Sequence, residues 1–255
     1  MAHPTKINLD GLDKSRLPRH VAVIMDGNGR WAKRRGKGRT EGHRRGTASV
    51  RAVVEMSRQL GIPYISLYAF STENWFRPED EVHALMGMLE HYLTAEQPKM
   101  MRHGIRLLAI GDRSRLPRSV LTTLRYVERL TRNNQGMTVL LALSYSGRDD
   151  IVAMVRRIAD AVKKGKCDVR DIDAGMVARE MATKKIPDPD LLIRTSGEMR
   201  ISNFFLWQIA YTELYITPTL WPDFREAEYL QALTEFQRRR RRFGRTDEQI
   251  AGPES

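Results

Sequence analysis

The chain has 255 residues, 41% of them hydrophobic, and a formal net charge of +12 with an isoelectric point near 10.1. That length supports one sizeable domain, while a single cysteine, Cys167, excludes a disulfide framework and a multi-cysteine zinc site and fits a reducing cytoplasmic setting. No apolar run approaches membrane-spanning length, residues 1–20 lack the apolar core of a signal peptide, and the charge excess points to anionic partners: nucleic acid, an anionic bilayer or phosphorylated small molecules.

Residues 1–17 read as an N-terminal extension. Val21–Met25 then predicts a short strand covered on both faces, which delivers Asp26 into the two-glycine loop Gly27, Asn28, Gly29. A helix from about Gly42 to Leu60 places Val50, Val53, Val54 and Leu60 on one face and stops at Gly61. Tyr64–Phe70 is the next strand. A second helix begins near Pro78, where Glu79, Asp80 and Glu81 suit a helix N-terminus, and continues through Leu85, Met88, Leu89 and Tyr92. Further strands fit Ile105–Ile110, Thr138–Leu143, Leu191–Arg194 and Glu213–Ile216. Further helices fit Leu116–Thr131, Asp149–Lys164, Ala174–Thr183 and Arg225–Arg242, and residues 246–255 are a polar tail. The alternation predicts a single α/β domain, residues 18–245, with a mostly parallel central sheet of about six strands flanked by helices. Ligands of such sheets sit beyond the carboxyl ends of the strands. Three distant segments, Asp26, Ser71–Arg77 and Arg194–Ser202, each follow a strand and so converge on one mouth.

The first segment suits a metal-bridged diphosphate: Asp26 holds Mg²⁺ while Arg30 and Arg39 supply positive charge and the glycines allow close backbone approach. Gly27, Gly29 and Ala32 also satisfy a loose dinucleotide pattern. That reading fails, because the next strand ends in Ser71 and Thr72 rather than an acid, and Asp26 opposes a bare pyrophosphate. An aspartyl-phosphatase reading fails as well, since Asn28 stands where a second carboxylate is needed. A lone Asp before Gly-Asn-Gly is otherwise an ordinary turn. The second segment packs Ser71, Thr72, Glu73, Asn74, Trp75 and Arg77 together, either as a reaction-centre lining or as a capped turn with a buried Trp75. The third, with Arg194, Thr195, Ser196, Gly197, Arg200, Ile201 and Ser202, reads as a nest for a second diphosphate or as a surface ion-pair loop.

Together these motifs resemble the cis-prenyltransferase (isoprenyl transferase) family. The matching residues are His20 to Trp31 with Arg39, Gly42 and His43; Tyr68 to Trp75 with Arg77; Ile193 to Thr195, Gly197, Glu198, Arg200 and Ser202 to Phe204; and Trp207, Gln208, Glu213, Trp221 and Pro222. They span about residues 18–245 in order. Ser196 departs from the pattern, standing where a second glycine is frequent, and Phe76 and Met199 fill variable positions.

The resemblance implies a Mg²⁺-dependent enzyme that condenses isopentenyl diphosphate onto farnesyl diphosphate or another allylic diphosphate, giving undecaprenyl diphosphate. It implies that Asp26 and Glu213 hold Mg²⁺, that Gly27, Asn28, Gly29, Arg30, Trp31, Arg39 and His43 hold the allylic diphosphate, and that Arg194, Arg200, Ile201 and Ser202 hold isopentenyl diphosphate. It further implies that Asn74 is catalytic and that Ser71, Thr72, Glu73, Trp75 and Arg77 line the reaction centre with it. Ionisation puts positive charge on carbon and negative charge on diphosphate, so cations and amides aimed at that oxyanion stabilise the transition state. A carboxamide is a very poor base, which favours Asn74 as an orienting group with a diphosphate oxygen taking the proton.

Leu85, Leu89, Leu93, Ala69, Ile105 and Leu141 are candidates for an apolar tunnel, against an ordinary core reading. The family also implies a homodimer, in which Arg242 to Gly244 reaches the neighbouring active site. The run Arg238–Arg242 is otherwise a solvated helix end or a contact for an anionic membrane face. Two rivals remain. A nucleic-acid-binding protein leaves Asp26, Glu73 and Glu213 unexplained among phosphate-type contacts, so no nucleic-acid partner is expected. A catalytically silent subunit of a hetero-oligomer conflicts with retention of Asp26, Arg194, Arg200 and Glu213.

Overall fold

A computed structural model describes residues 12–239. Most of the N-terminal extension, the end of the arginine run, the Arg242 to Gly244 motif and the polar tail lie outside the described residues. The strands are β1 (His20–Ile24), β2 (Tyr64–Ser71), β3 (Ile105–Ile110), β4 (Met137–Tyr145), β5 (Leu191–Arg194) and β6 (Glu213–Ile216). They form one six-stranded sheet in the order β3-β4-β2-β1-β5-β6, and every pairing is parallel. The helices are α1 (Asn28–Arg34), α2 (Arg39–Leu60), α3 (Glu79–Arg102), α4 (Arg118–Thr131), α5 (Gly147–Lys163), α6 (Ala174–Glu180) and α7 (Glu226–Arg238).

Strand alternation divides the core. Val21 and Val23 of β1, with Leu67, Leu107, Val139, Leu141 and Ile193, meet Val53, Met56, Leu93, Leu124, Tyr229 and Leu233 of the helices. Ala22 and Ile24 join Leu140, Ala142, Leu192, Phe204 and Phe205 in a second apolar layer. All five residues of β1 are buried, as a central parallel strand requires. β1 lies between β2 and β5, so the chain leaves it toward opposite sides at different points in the sequence. Its carboxyl end is the switch point where α/β sheets open a crevice.

The main departure from expectation follows Asp26. The segment expected as a loop is the helix α1, because Trp31 and Ala32 find burial against Leu220. Gly27 turns the chain into it at φ +108°, where a Cβ would meet Leu220 at 2.9 Å and Ser196 at 3.1 Å. Gly42 lets α2 cross α1 closely, since a Cβ there would stand 2.0 Å from the Asn28 carbonyl. α2 accordingly starts at Arg39, three residues before Gly42.

Candidate active site

Asp26 leaves β1 through a tight turn, its N–H bonding the Ile24 carbonyl at 3.0 Å. The Thr195 hydroxyl secures it from β5: it accepts from the Asp26 N–H at 2.9 Å and donates to the Asp26 carbonyl at 2.6 Å. The carboxylate then sits between two guanidiniums, Arg194 at 2.8 Å and Arg30 at 3.2 Å. Burial alone raises such a carboxyl, but the Arg194 hydrogen bond and the Arg30 and Arg194 charges outweigh it and hold Asp26 below its ordinary value.

A cavity of about 590 Å³ opens beside this carboxylate, lined by Asp26, Gly27, Asn28, Gly29, Arg30, Lys33, Lys37, Arg39, His43 and Arg77. The amides of Asn28 to Arg30 precede the first helical hydrogen bond of this turn, from the Trp31 N–H to the Gly27 carbonyl at 2.9 Å. Glu81, buried on α3, collects Arg77 at 3.1 Å, Arg39 at 3.3 Å and His43 at 3.9 Å. Burial, then the Arg77 and Arg39 charges, push His43 down to about 4, so near neutral pH it is an uncharged imidazole. The cavity therefore presents five basic side chains, a neutral hydrogen-bonding ring and one carboxylate, a composition suited to a diphosphate.

The β5 loop lies on the other side of Asp26. Arg194, with a side chain 5% exposed, donates to the Ser202 hydroxyl at 2.7 Å and to the Arg200 carbonyl as well as to Asp26. Glu198 bridges Arg30 at 2.9 Å and Arg200 at 2.5 Å, tying the two segments together. Ser196 takes φ +76° and Ser202 φ +48°, the left-handed region. Ser196 accepts hydrogen bonds from Arg30 at both its hydroxyl and its carbonyl, which compensates for the absence of glycine there. Ile201 packs on the second apolar layer.

Ser71 to Phe76 combines both expectations for that segment. It is a capped 3-10 turn, in which Asn74 Oδ1 accepts from the Ser71 N–H at 3.1 Å, and Asn74 also lines an apolar chamber of about 190 Å³. Met25, Asn28, His43 and Arg77 line this chamber and the basic cavity alike, so the two are continuous. Ala69, Leu85, Leu89 and Leu141 line the chamber as tunnel candidates should, and Ile105 lines a deeper one. Leu93 is fully buried core. Glu73 accepts from Asn203 at 3.0 Å and so joins this turn to the β5 loop.

Four expected site residues are placed elsewhere. Trp31 is buried against Leu220 and donates its indole N–H to Asp223 at 2.7 Å, which fixes α1 instead of lining the basic cavity. Trp75 packs edge-on to Phe70 and donates to Ser144 at 2.9 Å, since an indole of that size finds its apolar surface in the core. Thr72 faces a separate cavity beside β3 and β4. Glu213 opens β6, in register with Leu191, whereas Asp26 lies beyond Ile24 and Arg194. Three strand steps separate those levels, ~10 Å or more. Glu213 pairs with Arg239 at 3.0 Å. Sequence reasoning gave no site role to Glu81, Glu198 or Lys33, although Glu198 stands among the residues that carry the resemblance. Only the spacing of Arg77 and Glu81, one helical turn apart, hinted at the first.

Residues 24–244 match the family model described as putative undecaprenyl diphosphate synthase. An isoprenyl transferase of Chlorobaculum tepidum is 53% identical over 234 residues, covering 92% of this chain and 88% of that protein. The ditrans,polycis-undecaprenyl-diphosphate synthase ((2E,6E)-farnesyl-diphosphate specific) of Vibrio cholerae is 47% identical over 239 residues, 94% of this chain and 96% of its own. Among solved structures, lavandulyl diphosphate synthase from Lavandula x intermedia, in complex with dimethylallyl diphosphate, superposes with a TM-score of 0.88 and 42% identity. That match covers 90% of this chain and 99% of the lavender enzyme.

Proposed function

The chain belongs to the undecaprenyl diphosphate synthase family of prenyl transferases, and from that membership we propose that it condenses isopentenyl diphosphate repeatedly onto farnesyl diphosphate. The product of this reading is undecaprenyl diphosphate, a precursor of the lipid carrier used in cell-wall synthesis. The observation that carries it is the position of Asp26, between Arg30 and Arg194, at the mouth of a basic cavity continuous with an apolar chamber.

Mg²⁺ is ordinarily held by one or two carboxylates together with substrate phosphates and water. Asp26, half-buried beside a basic cavity, fits that role and would hold the ion together with the allylic diphosphate. No cage of three acidic, histidine or cysteine side chains exists among the described residues. Bound there, the ion supplies Lewis-acid stabilisation of the departing diphosphate.

The chain's own residues do the rest. Arg30, Arg39, Arg77 and the α1 amides receive the allylic diphosphate, and neutral His43 donates to it without adding charge. Arg194, Arg200 and Ser202 receive isopentenyl diphosphate on the opposite side of Asp26. The allylic C–O bond breaks, the double bond of isopentenyl diphosphate attacks the allylic carbon, and one proton leaves. The Asn74 oxygen already accepts from Ser71, so its amide hydrogens are what it offers substrate. Asn74 therefore orients diphosphate, and a diphosphate oxygen takes the proton. The apolar chamber excludes water from the cation and receives the tail.

A second copy of the chain is part of this proposal. The edge strand β6 and the segment before it expose Trp207, Tyr211 and Leu214, which supports a homodimer through that edge; light scattering at micromolar concentration tests it. An apolar product and a cationic surface support transient contact with an anionic membrane face, and no described helix is long and apolar enough to cross a membrane.

The deciding experiment incubates the purified chain with Mg²⁺, farnesyl diphosphate and labelled isopentenyl diphosphate beside Asp26→Ala. A metal-dependent ladder of products, lost in the variant, is expected. No extension of any allylic starter overturns the proposal.

A further inference from the structure

A groove of about 1050 Å³ runs along the exposed seam between α2 and α3, outside the cavities of the active site. Helical spacing builds its walls: Arg44, Ala48 and Arg51 recur on one face of α2, and Ala84, Gly87 and Met88 on the facing side of α3. The small residues leave an apolar strip along its floor. Thr47, Met88 and Tyr92 line both this groove and the apolar chamber, so one layer of side chains separates the two.

Positive charge rims the strip. Arg35, Lys37, Arg44, Arg45 and Arg51 line the groove against one carboxylate, Glu41, which Arg44 occupies through two hydrogen bonds at 2.8 and 2.7 Å. Arg35 pairs with Asp223 at 3.3 Å and Arg51 with Glu96 at 2.6 Å. Lys37 and Arg45 form no salt bridge among the described residues. Arg45 instead lies near another cation: burial, and after it the Arg45 charge, lowers Arg225 from its ordinary value. Positive charge that folding leaves unpaired beside an aliphatic strip suits a ligand with an anionic head and hydrocarbon behind it. Nucleic acid fits less well, since its bases stack on exposed aromatic rings and the one indole here, Trp31, is buried beneath Arg35.

We propose that this groove is where the protein docks on an anionic bilayer, with phospholipid phosphates meeting Lys37, Arg44 and Arg45 and acyl chains lying along Ala48, Ala84, Gly87 and Met88. The site gives the membrane contact proposed above, on which the inference rests, a place on α2 and α3 instead of on the arginine run that closes α7. Docking there turns the thin wall of the apolar chamber toward hydrocarbon, the phase into which a polyprenyl tail partitions.

The test is flotation of the purified chain with vesicles containing phosphatidylglycerol, beside vesicles of phosphatidylcholine alone. Binding to the anionic vesicles that weakens with added salt, and little binding to the neutral ones, is expected. Arg44→Glu combined with Arg45→Glu lowers the affinity at least about tenfold. Gly87→Glu does so independently: a Cβ there meets nothing within 4 Å, and replacing a mid-helix glycine favours the helix, so this variant folds. Charge reversal at Arg240, Arg241 and Arg242 leaves binding within about threefold of wild type. Groove variants that bind like wild type, while the arginine-run variant does not, overturn the groove alone. Equal binding of the wild-type chain to neutral and anionic vesicles overturns the phosphate contacts. Binding to neither overturns the membrane contact and this inference together, and leaves prenyl transfer untouched. Inorganic phosphate bound without vesicles, and lost in the same variants, makes the groove a small-anion site and overturns the lipid. Tighter binding to a short RNA than to the vesicles, lost in the same variants, overturns it in favour of nucleic acid.

Discussion

Arg194 Nη2 donates to Asp26 Oδ2 at 2.8 Å although the two residues stand 168 positions apart in the chain. Parallel pairing of β1 with β5 puts Ile24 opposite Arg194, so the carboxyl ends of both strands deliver their functional side chains to one point. The arginine is almost wholly buried, whereas the carboxylate is 30% exposed and faces the basic cavity.

Removing the carboxylate leaves a buried guanidinium with its remaining partners Ser202 and the Arg200 carbonyl. Asp26→Ala is expected to abolish metal-dependent extension, by on the order of 10³-fold or more. It also lowers folding stability by roughly 1–3 kcal/mol, less than for a fully buried pair because Asp26 is partly solvated. Product formation and urea denaturation check the two parts separately.

Asn74 offers a sharper distinction between roles. In Asn74→Asp the side-chain oxygen still accepts from Ser71, so the capped turn survives while the amide hydrogens are lost. An orienting carboxamide predicts a fall in kcat of about 10²-fold, as severe as for Asn74→Ala. A basic role at this position predicts retained or increased turnover in the aspartate variant, and that result would exclude the orienting role.

Two histidines make stability depend on pH. Burial lowers His20 to about 4, with its ring held between the Pro187 carbonyl at 2.6 Å and the Ser66 hydroxyl at 2.7 Å. His43 is likewise lowered to about 4. Both folded-state values lie below the unfolded value of 6.5. The unfolded chain therefore binds more protons between these values, and stability falls as pH drops through that window. Each neutral ring contributes a stabilisation that is complete above ~6.5, and about 2 kcal/mol of it is lost by about pH 5. Denaturant midpoints measured across that range should decline, and His43→Gln should flatten part of the slope.

Glu198 holds Arg30 and Arg200 in the absence of substrate. A diphosphate must compete with it for both guanidiniums. Glu198→Gln removes an exposed ion pair of at most ~1 kcal/mol, so KM for isopentenyl diphosphate should fall by up to about fivefold with kcat little changed. Steady-state kinetics with the allylic substrate held saturating reads this directly.

Much of the molecule is legible in the sequence. The alternation of apolar runs with helical periods gives the six strands close to their observed ends, because a parallel sheet buried on both faces leaves a continuous apolar signature. The residue types after three of those strands, guanidiniums, hydroxyls and glycines beside one carboxylate, suit a diphosphate, and it is the resemblance to a known family that favours this over ordinary turns and ion-pair loops. What sequence could not decide was which way large side chains turn. Trp31 and Trp75 sit inside functional motifs yet carry more apolar surface than a polar cavity can satisfy, so packing against Leu220 and Phe70 draws them inward. Helix α1 is likewise a tertiary result, made possible by the bare surface of Gly42. The separation of Glu213 from Asp26 follows from strand register, which depends on pairing between β5 and β6 and not on any local pattern. Sequence thus determined the chemistry and the order of the elements, through residue type and periodicity. Tertiary structure alone decided which carboxylate meets which arginine, because those contacts join residues far apart in the chain.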